Sequence, residues 1–133
     1  MLAQLACCGA PYTSTLGAMN TTVPMVAATV TLLPELPRGR RIAEKMYCPH
    51  IVIGPTTQRK AIVGPKGVEE PYLGVCFWEG PEWLRPGVSN EVTLALMYYD
   101  EAPDAYAPVV PGATFTLREG GTIIGYGEVK HRT

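Results

Sequence analysis

A chain of 133 residues is long enough to bury one core and too short for a nucleotide-binding domain joined to a second globular unit. Hydrophobic residues make up 47% of it, which excludes disorder along the whole length, and 14 glycines with 13 prolines disfavour a helical bundle. The formal net charge of −1 gives no bulk attraction to nucleic acid, so any RNA contact has to come from a local patch.

Residues 1–24 carry neither alternation nor turn chemistry and are expected to form a disordered or extended segment, with a single domain over 25–133. Their apolar run is broken by Gln4 and Gly9 and lacks a basic flank, so it suits neither a membrane-crossing helix nor a secretory signal. A cytoplasmic protein with no membrane partner is expected, and removal of residues 1–22 is expected to leave the melting temperature nearly unchanged.

From residue 25 the pattern becomes regular. Val26, Ala28, Val30 and Leu32 alternate with Ala27, Thr29 and Thr31, which predicts a half-buried strand over 25–33, stopped by Pro34 and Pro37. Residues 34–44 read as a loop carrying Arg38, Arg40 and Arg41. A short apolar strand is predicted over 50–53, ended by Gly54-Pro55, and another over 58–63, bounded by the turn Gly64-Pro65-Lys66-Gly67. Residues 72–78 alternate, as do 91–99, where Val92, Leu94, Leu96 and Tyr98 share a face and Tyr98-Tyr99 should split inward and outward. The run from Thr114 to Val129 reads as a hairpin closed at Glu119-Gly120-Gly121, with Phe115 and Leu117 opposite Thr114 and Thr116. Seven strand-like segments without a helical period predict an all-β small closed barrel or a sandwich.

Chemistry is sparse along this chain. There is no Gly-x-x-x-x-Gly-Lys-[Ser/Thr] loop, and Ser14 and Ser89 sit in no nucleophile elbow. The neighbours Glu69-Glu70 and Asp100-Glu101 point apart on extended chain and read as solvated loop charges. Adjacent Cys7-Cys8 and the distant His50 and His131 lack the spacing of a zinc site, so neither metal nor cofactor is expected. A Cys48–Cys76 bridge is geometrically possible, but without a secretory signal reduced thiols are expected. The chain does not read as an enzyme, and neither binding nor hydrolysis of GTP is expected of it. Trp78 and Trp83 are candidates for a partner surface.

The wording "REGGTIIGYGEV" at 118–129 resembles the final hairpin of the third domain of translation elongation factor Tu. The similarity extends over 26–130. "VTLLPELPRGRR" at 30–41 resembles the family's first barrel strand and Gly-Arg loop, "MYCPH" at 46–50 stands at its Gly-Tyr-Arg-Pro-Gln segment, and "RPG" with Asn90 and "EVTLAL" resembles its Pro-Gly-Asp-Asn turn and following strand. Three departures accompany it: Cys48 replaces the motif arginine, Gly54-Pro55 interrupts a strand, and residues 100–108 exceed the family's short connection.

The resemblance implies a six-stranded antiparallel Greek-key barrel with a role in protein biosynthesis, binding the T-arm backbone of tRNA or a translation-factor or GTPase-domain partner. It carries RNA contact onto Arg40 and Arg41 in the loop, Thr56 or Thr57 near a threonine pair, and Glu119 and Gly120 in the turn. Arginine forks, hydroxyls and open backbone amides bind phosphate and sugar without reading sequence. On this reading the two arginines and the turn meet at one rim, and Arg40→Ala with Arg41→Ala leaves fold stability nearly unchanged. The alternative is a stand-alone protein-interaction module without RNA binding, using the Trp78 to Trp83 face.

Overall fold

Strict alternation in the strand Met25–Leu32 (β1) turns Val26, Ala28, Val30 and Leu32 inward, and five further strands complete a closed sheet around the same interior. A computed structural model describes residues 23–42 and 47–133; the expectations for residues 1–22 fall outside the described residues. The other elements are β2 (Arg40–Arg41), β3 (His50–Ile53), β4 (Val63–Gly64), β5 (Gly67–Val68), β6 (Leu73–Glu79), β7 (Trp83–Leu84), β8 (Ser89–Leu96), β9 (Thr114–Glu119) and β10 (Thr122–Arg132). The barrel order is β1-β10-β9-β3-β6-β8, every neighbouring pair antiparallel. Strands β3, β6 and β8 follow one another and β1 returns beside β8, which is Greek-key connectivity. Closure leaves the barrel sheet without an edge.

Val30, Ile51, Val75, Leu94, Phe115, Leu117 and Ile124 meet in the interior. Each fully buried side chain of this size contributes about 1.5–3 kcal/mol, so the inward set carries most of the stability.

The final hairpin forms as its glycines require. Gly120 takes a φ of 59°, open to a residue without a Cβ, and Glu119 faces Thr122 across the turn. Gly127 has a different reason: a Cβ there would lie 2.1 Å from the Thr29 carbonyl oxygen, so β1 and β10 approach closely only because it has none. β10 runs on to Arg132, which places His131 in the ladder opposite Ala27.

Several expectations are corrected. Residues 58–63 do not form a strand. After Gly54-Pro55 the chain leaves the barrel as an excursion over 54–72, in which the Gln58 amide donates to the Lys60 carbonyl at 2.9 Å and the Arg59 guanidinium donates to the Thr56 carbonyl at 2.6 Å; only Val63–Gly64 pairs, with Gly67–Val68. The strand expected over 91–99 ends at Leu96 in a turn, so the inward tyrosine is half-buried Tyr99, while Tyr98 lies outside over Gly74. The loop at 34–44 contains β2, which pairs with β7.

Cys48 and Cys76 are paired, contrary to expectation. Val75 N–H donates to the Pro49 carbonyl and Phe77 N–H to that of Tyr47, which extends the ladder of β6 beyond β3. Cys48 and Cys76 then face each other as a non-hydrogen-bonded pair with Cα atoms 4.0 Å apart, joined as a disulfide. Compartment statistics carry no information about register, and register brings these two together.

The connection over 97–113 crosses the barrel end away from the β9–β10 turn. Its 3₁₀ turn, Pro103–Tyr106, inserts Tyr106 into the core. The Tyr106 hydroxyl donates to the Gly74 carbonyl at 2.7 Å and accepts from Tyr98 N–H at 3.2 Å. Arg132 fastens the same segment by donating to the carbonyls of Tyr106 and Val109 at 2.8 and 2.9 Å.

Candidate binding rim

Antiparallel order brings the end of β1, β2, the start of β3, the ends of β6 and β9, and β7 to one rim of the barrel. Arg40, Arg41, Glu119 and Gly120 all lie there. Arg40 closes a two-pronged contact on Glu119, Nε to Oε2 at 2.7 Å and Nη2 to Oε1 at 2.8 Å, and its Nη1 donates to the Arg38 and Gly39 carbonyls. The Tyr47 hydroxyl donates to the same carboxylate, and its ring stacks on Phe77 with centroids 5.3 Å apart.

The charges in this group support one another. Arg40 holds the Glu119 carboxyl below the ordinary carboxylate range, with Tyr47 adding to the effect. Burial, then the hydrogen bond to Glu119, pushes the Tyr47 phenol up. Glu119 therefore remains an acceptor and Tyr47 a donor at neutral pH. Chemically the triad is a clasp between the β1–β3 crossover and the final hairpin.

The fork bears on the expectation that losing both arginines leaves fold stability nearly unchanged, because Arg40 is not an exposed loop charge. Arg40→Ala is expected to destabilise the fold by about 1–2 kcal/mol, because it leaves a partly buried carboxylate with only Tyr47. Arg41→Ala is expected to cost less than about 0.5 kcal/mol, since its pair with Glu82 (2.7 Å) is exposed on both sides. Chemical denaturation of the two single variants measures the difference.

The six candidate RNA-contact residues do not form one patch. Thr56 and Thr57 lie where the chain leaves β3 beside Thr114, at the other end of β9 from Glu119; the Thr114 hydroxyl donates to the Gly54 carbonyl at 2.8 Å. At about 3.4 Å per residue, the length of β9 separates that point from the rim by roughly 17 Å.

Trp78 and Trp83 are nearer to one surface. Trp83 on β7 is 40% exposed, with the Arg41 guanidinium 5.9 Å above its ring. Trp78 is half-buried at the end of β6 and, with Ile42, Phe77, Glu79 and Gly80, lines a cavity of about 250 Å³. Ile42 N–H donates to the Glu82 carbonyl at 2.9 Å, which fixes the cavity wall beside Trp83. Arg38 and Arg85 are exposed on the same rim and make no ion pair among the described residues.

The group most deeply built into the protein was not visible as a site in the sequence. Arg118 on β9 is fully buried and meets Glu70 from the excursion, Nη1 to Oε1 at 2.8 Å and Nη2 to Oε2 at 3.1 Å. Its Nε donates to the Thr116 hydroxyl at 2.9 Å and its Nη1 to Tyr72 at 3.1 Å. Glu70 also accepts from the Gln58 amide and from Ile62 N–H. Arg118, ahead of Gln58 and Ile62 N–H, lowers the Glu70 carboxyl to about 2. Glu70 is thus a buried anchor and not the solvated loop charge expected. The sequence signal was an arginine on the outward phase of a strand otherwise rich in threonine.

Among the described residues no group of three or more His, Cys, Asp or Glu side chains is placed to hold a metal ion. No helix of the described chain is long and apolar enough to cross a membrane. No protein-family model matches the chain, and no curated protein matches it significantly.

Proposed function

We propose that the protein is a non-catalytic β-barrel binding module that engages a protein partner through the rim around Trp78 and Trp83. The observation that carries this reading is the state of the two arginines: Arg40 is closed on Glu119 and Arg41 sits against Glu82, while Trp83 stands exposed near a cavity lined by Trp78, Phe77, Ile42, Glu79 and Gly80. Aromatic side chains next to a concavity are the usual anchors of protein interfaces. Phosphate binding at Arg40 would require breaking the fork to Glu119 first. The similarity of the hairpin and Gly-Arg loop to the third domain of elongation factor Tu makes a cytoplasmic translation factor or GTPase-domain protein the class of partner to test.

A second reading, contact with the backbone of tRNA, is favoured by Arg38 and Arg85, whose guanidinium groups face solvent on that rim. One experiment separates the two. A photo-crosslinking amino acid at position 83 is expected to give a discrete protein adduct that Trp78→Ala abolishes, and a salt titration against total tRNA is expected to show no salt-sensitive binding. Salt-sensitive tRNA binding that disappears in Arg38→Ala with Arg85→Ala would establish the RNA reading instead.

A further inference from the structure

The Cys48–Cys76 bridge lies outside the barrel interior, and its two ends differ. Val75 and Phe77, on either side of Cys76, belong to the core, which turns the Cys76 side chain to the outer face of β6. Cys76 is nevertheless fully buried there, whereas Cys48 on the strap opposite is exposed. Solvent therefore reaches the bridge from the Cys48 side. In thiol–disulfide exchange the incoming thiolate attacks one sulfur of the pair, and access helps decide which.

The strap does not depend on the bridge for its place. Val75 N–H donates to the Pro49 carbonyl at 3.1 Å and Phe77 N–H to the Tyr47 carbonyl at 2.9 Å, one ladder bond on each side of the cystine. Pro49 is buried, and Tyr47 is fixed twice over, its ring stacked on Phe77 and its hydroxyl donating to Glu119. Cleavage of the S–S bond therefore leaves Cys48 facing Cys76, in position to join it again. A bridge enclosed at both ends opens only when the structure around it unfolds. This one pairs an accessible sulfur with an enclosed partner that stays opposite it.

We propose that Cys48 is a thiol-exchange and modification site for monothiols of low molecular mass, with Cys76 as the thiol that later expels them. An incoming thiolate attacks Cys48 Sγ. A new S–S bond forms to Cys48 as the Cys48–Cys76 bond breaks, the electron pair leaves on Cys76 Sγ, and that sulfur takes a proton from water. In reverse, the Cys76 thiolate attacks Cys48 Sγ, the bridge re-forms and the small thiol departs, so neither direction consumes an oxidant. A second molecule of thiol instead removes the adduct as its own disulfide and leaves Cys48 and Cys76 reduced. Cys48 adjoins Tyr47, and Cys76 lies two residues from Trp78, which sets the adduct on the outer face next to the binding rim. The inference holds whatever that rim binds.

The test uses the full chain and glutathione. Native protein is mixed with reduced glutathione over a range of concentrations, quenched with acid at short times, then denatured and alkylated at mildly acidic pH. Trypsin separates the peptide carrying Cys48 from that carrying Cys76, because Arg59, Lys60 and Lys66 lie between them. Glutathione is expected on Cys48 with the alkyl label on Cys76, at least about tenfold in excess of the reverse arrangement, and bridge opening is expected to speed up in proportion to glutathione without a plateau. The Val75 and Phe77 amides are expected to stay protected from hydrogen exchange in the reduced protein. In Cys76→Ala, with folding verified by its melting curve, an adduct formed from oxidised glutathione is expected to persist on Cys48, while in the wild type the adduct disappears as the bridge re-forms. Equal labelling of the two cysteines overturns the proposal. So does a rate that levels off at the rate of global unfolding, which would make the bridge a staple opened only in the unfolded chain. Loss of the two amide protections on reduction overturns it as well, since the strap would no longer hold Cys48 opposite Cys76.

Discussion

Arg118→Met is expected to destabilise the protein by about 3–5 kcal/mol, the range for breaking a buried ion pair from one side. The substitution leaves Glu70 enclosed with only the Gln58 amide and Ile62 N–H, and deprives Thr116 and Tyr72 of a donor. Equilibrium urea unfolding measures the loss. Arg118→Met combined with Glu70→Leu is expected to recover most of it, since an apolar pair of similar volume needs no counter-charge. The pH dependence follows from the same pair. Glu70 falls to about 2 in the fold from an ordinary 4.5, so its stabilisation is complete above that ordinary value and is lost as the pH drops toward 2. Glu70→Gln is expected to flatten this part of the acid-unfolding profile, and an unaltered slope would show that other carboxylates govern it.

Reduction of the Cys48–Cys76 bridge is expected to cost about 3.5 kcal/mol, from the chain entropy released when a loop of this length opens. The sequence separation is 28, and the closed loop contains the whole excursion. Its opening frees the unfolded chain and also loosens the strap that carries Tyr47 toward Glu119. Denaturation with and without a thiol reductant gives the difference. In Cys48→Ala with Cys76→Ala the reductant is expected to have no effect; a wild type equally indifferent would show that the bridge contributes nothing.

The barrel was legible where one strand reports on itself. β1 and the final hairpin declare their inward positions by alternation, because burial of every second residue is a local pattern. Residues 58–63 showed strand-like composition, yet the strand fails because Gln58 and Arg59 turn their side chains to nearby carbonyls and to Glu70. Alternation alone marks the second face of β9 as outward, yet Thr116 and Arg118 on it are buried because the excursion lies across them, a fact held 48 residues away in Glu70. The rim divides in the same way. Arg40 and Glu119 could be placed at one end of the barrel from the family resemblance, but whether they face solvent or each other depends on a contact 79 residues long in sequence. Pairings of that kind leave no periodic trace.

The seam between β1 and β10 joins Val26 to Arg132 and Thr31 to Tyr126, so a strand near the start of the domain finds one of its two neighbours only at the far end. During synthesis β1 can pair with β8 as soon as that strand emerges, but its other edge stays open until β10 has been made. Contacts of such range raise the contact order and slow folding. A nascent chain paused after β9 would display two unpaired edges, β1 and β9, and its closure belongs to the interval after β10 clears the ribosome. Until that closure, more than in the finished barrel, this sequence is open to chaperones and to edge-to-edge aggregation.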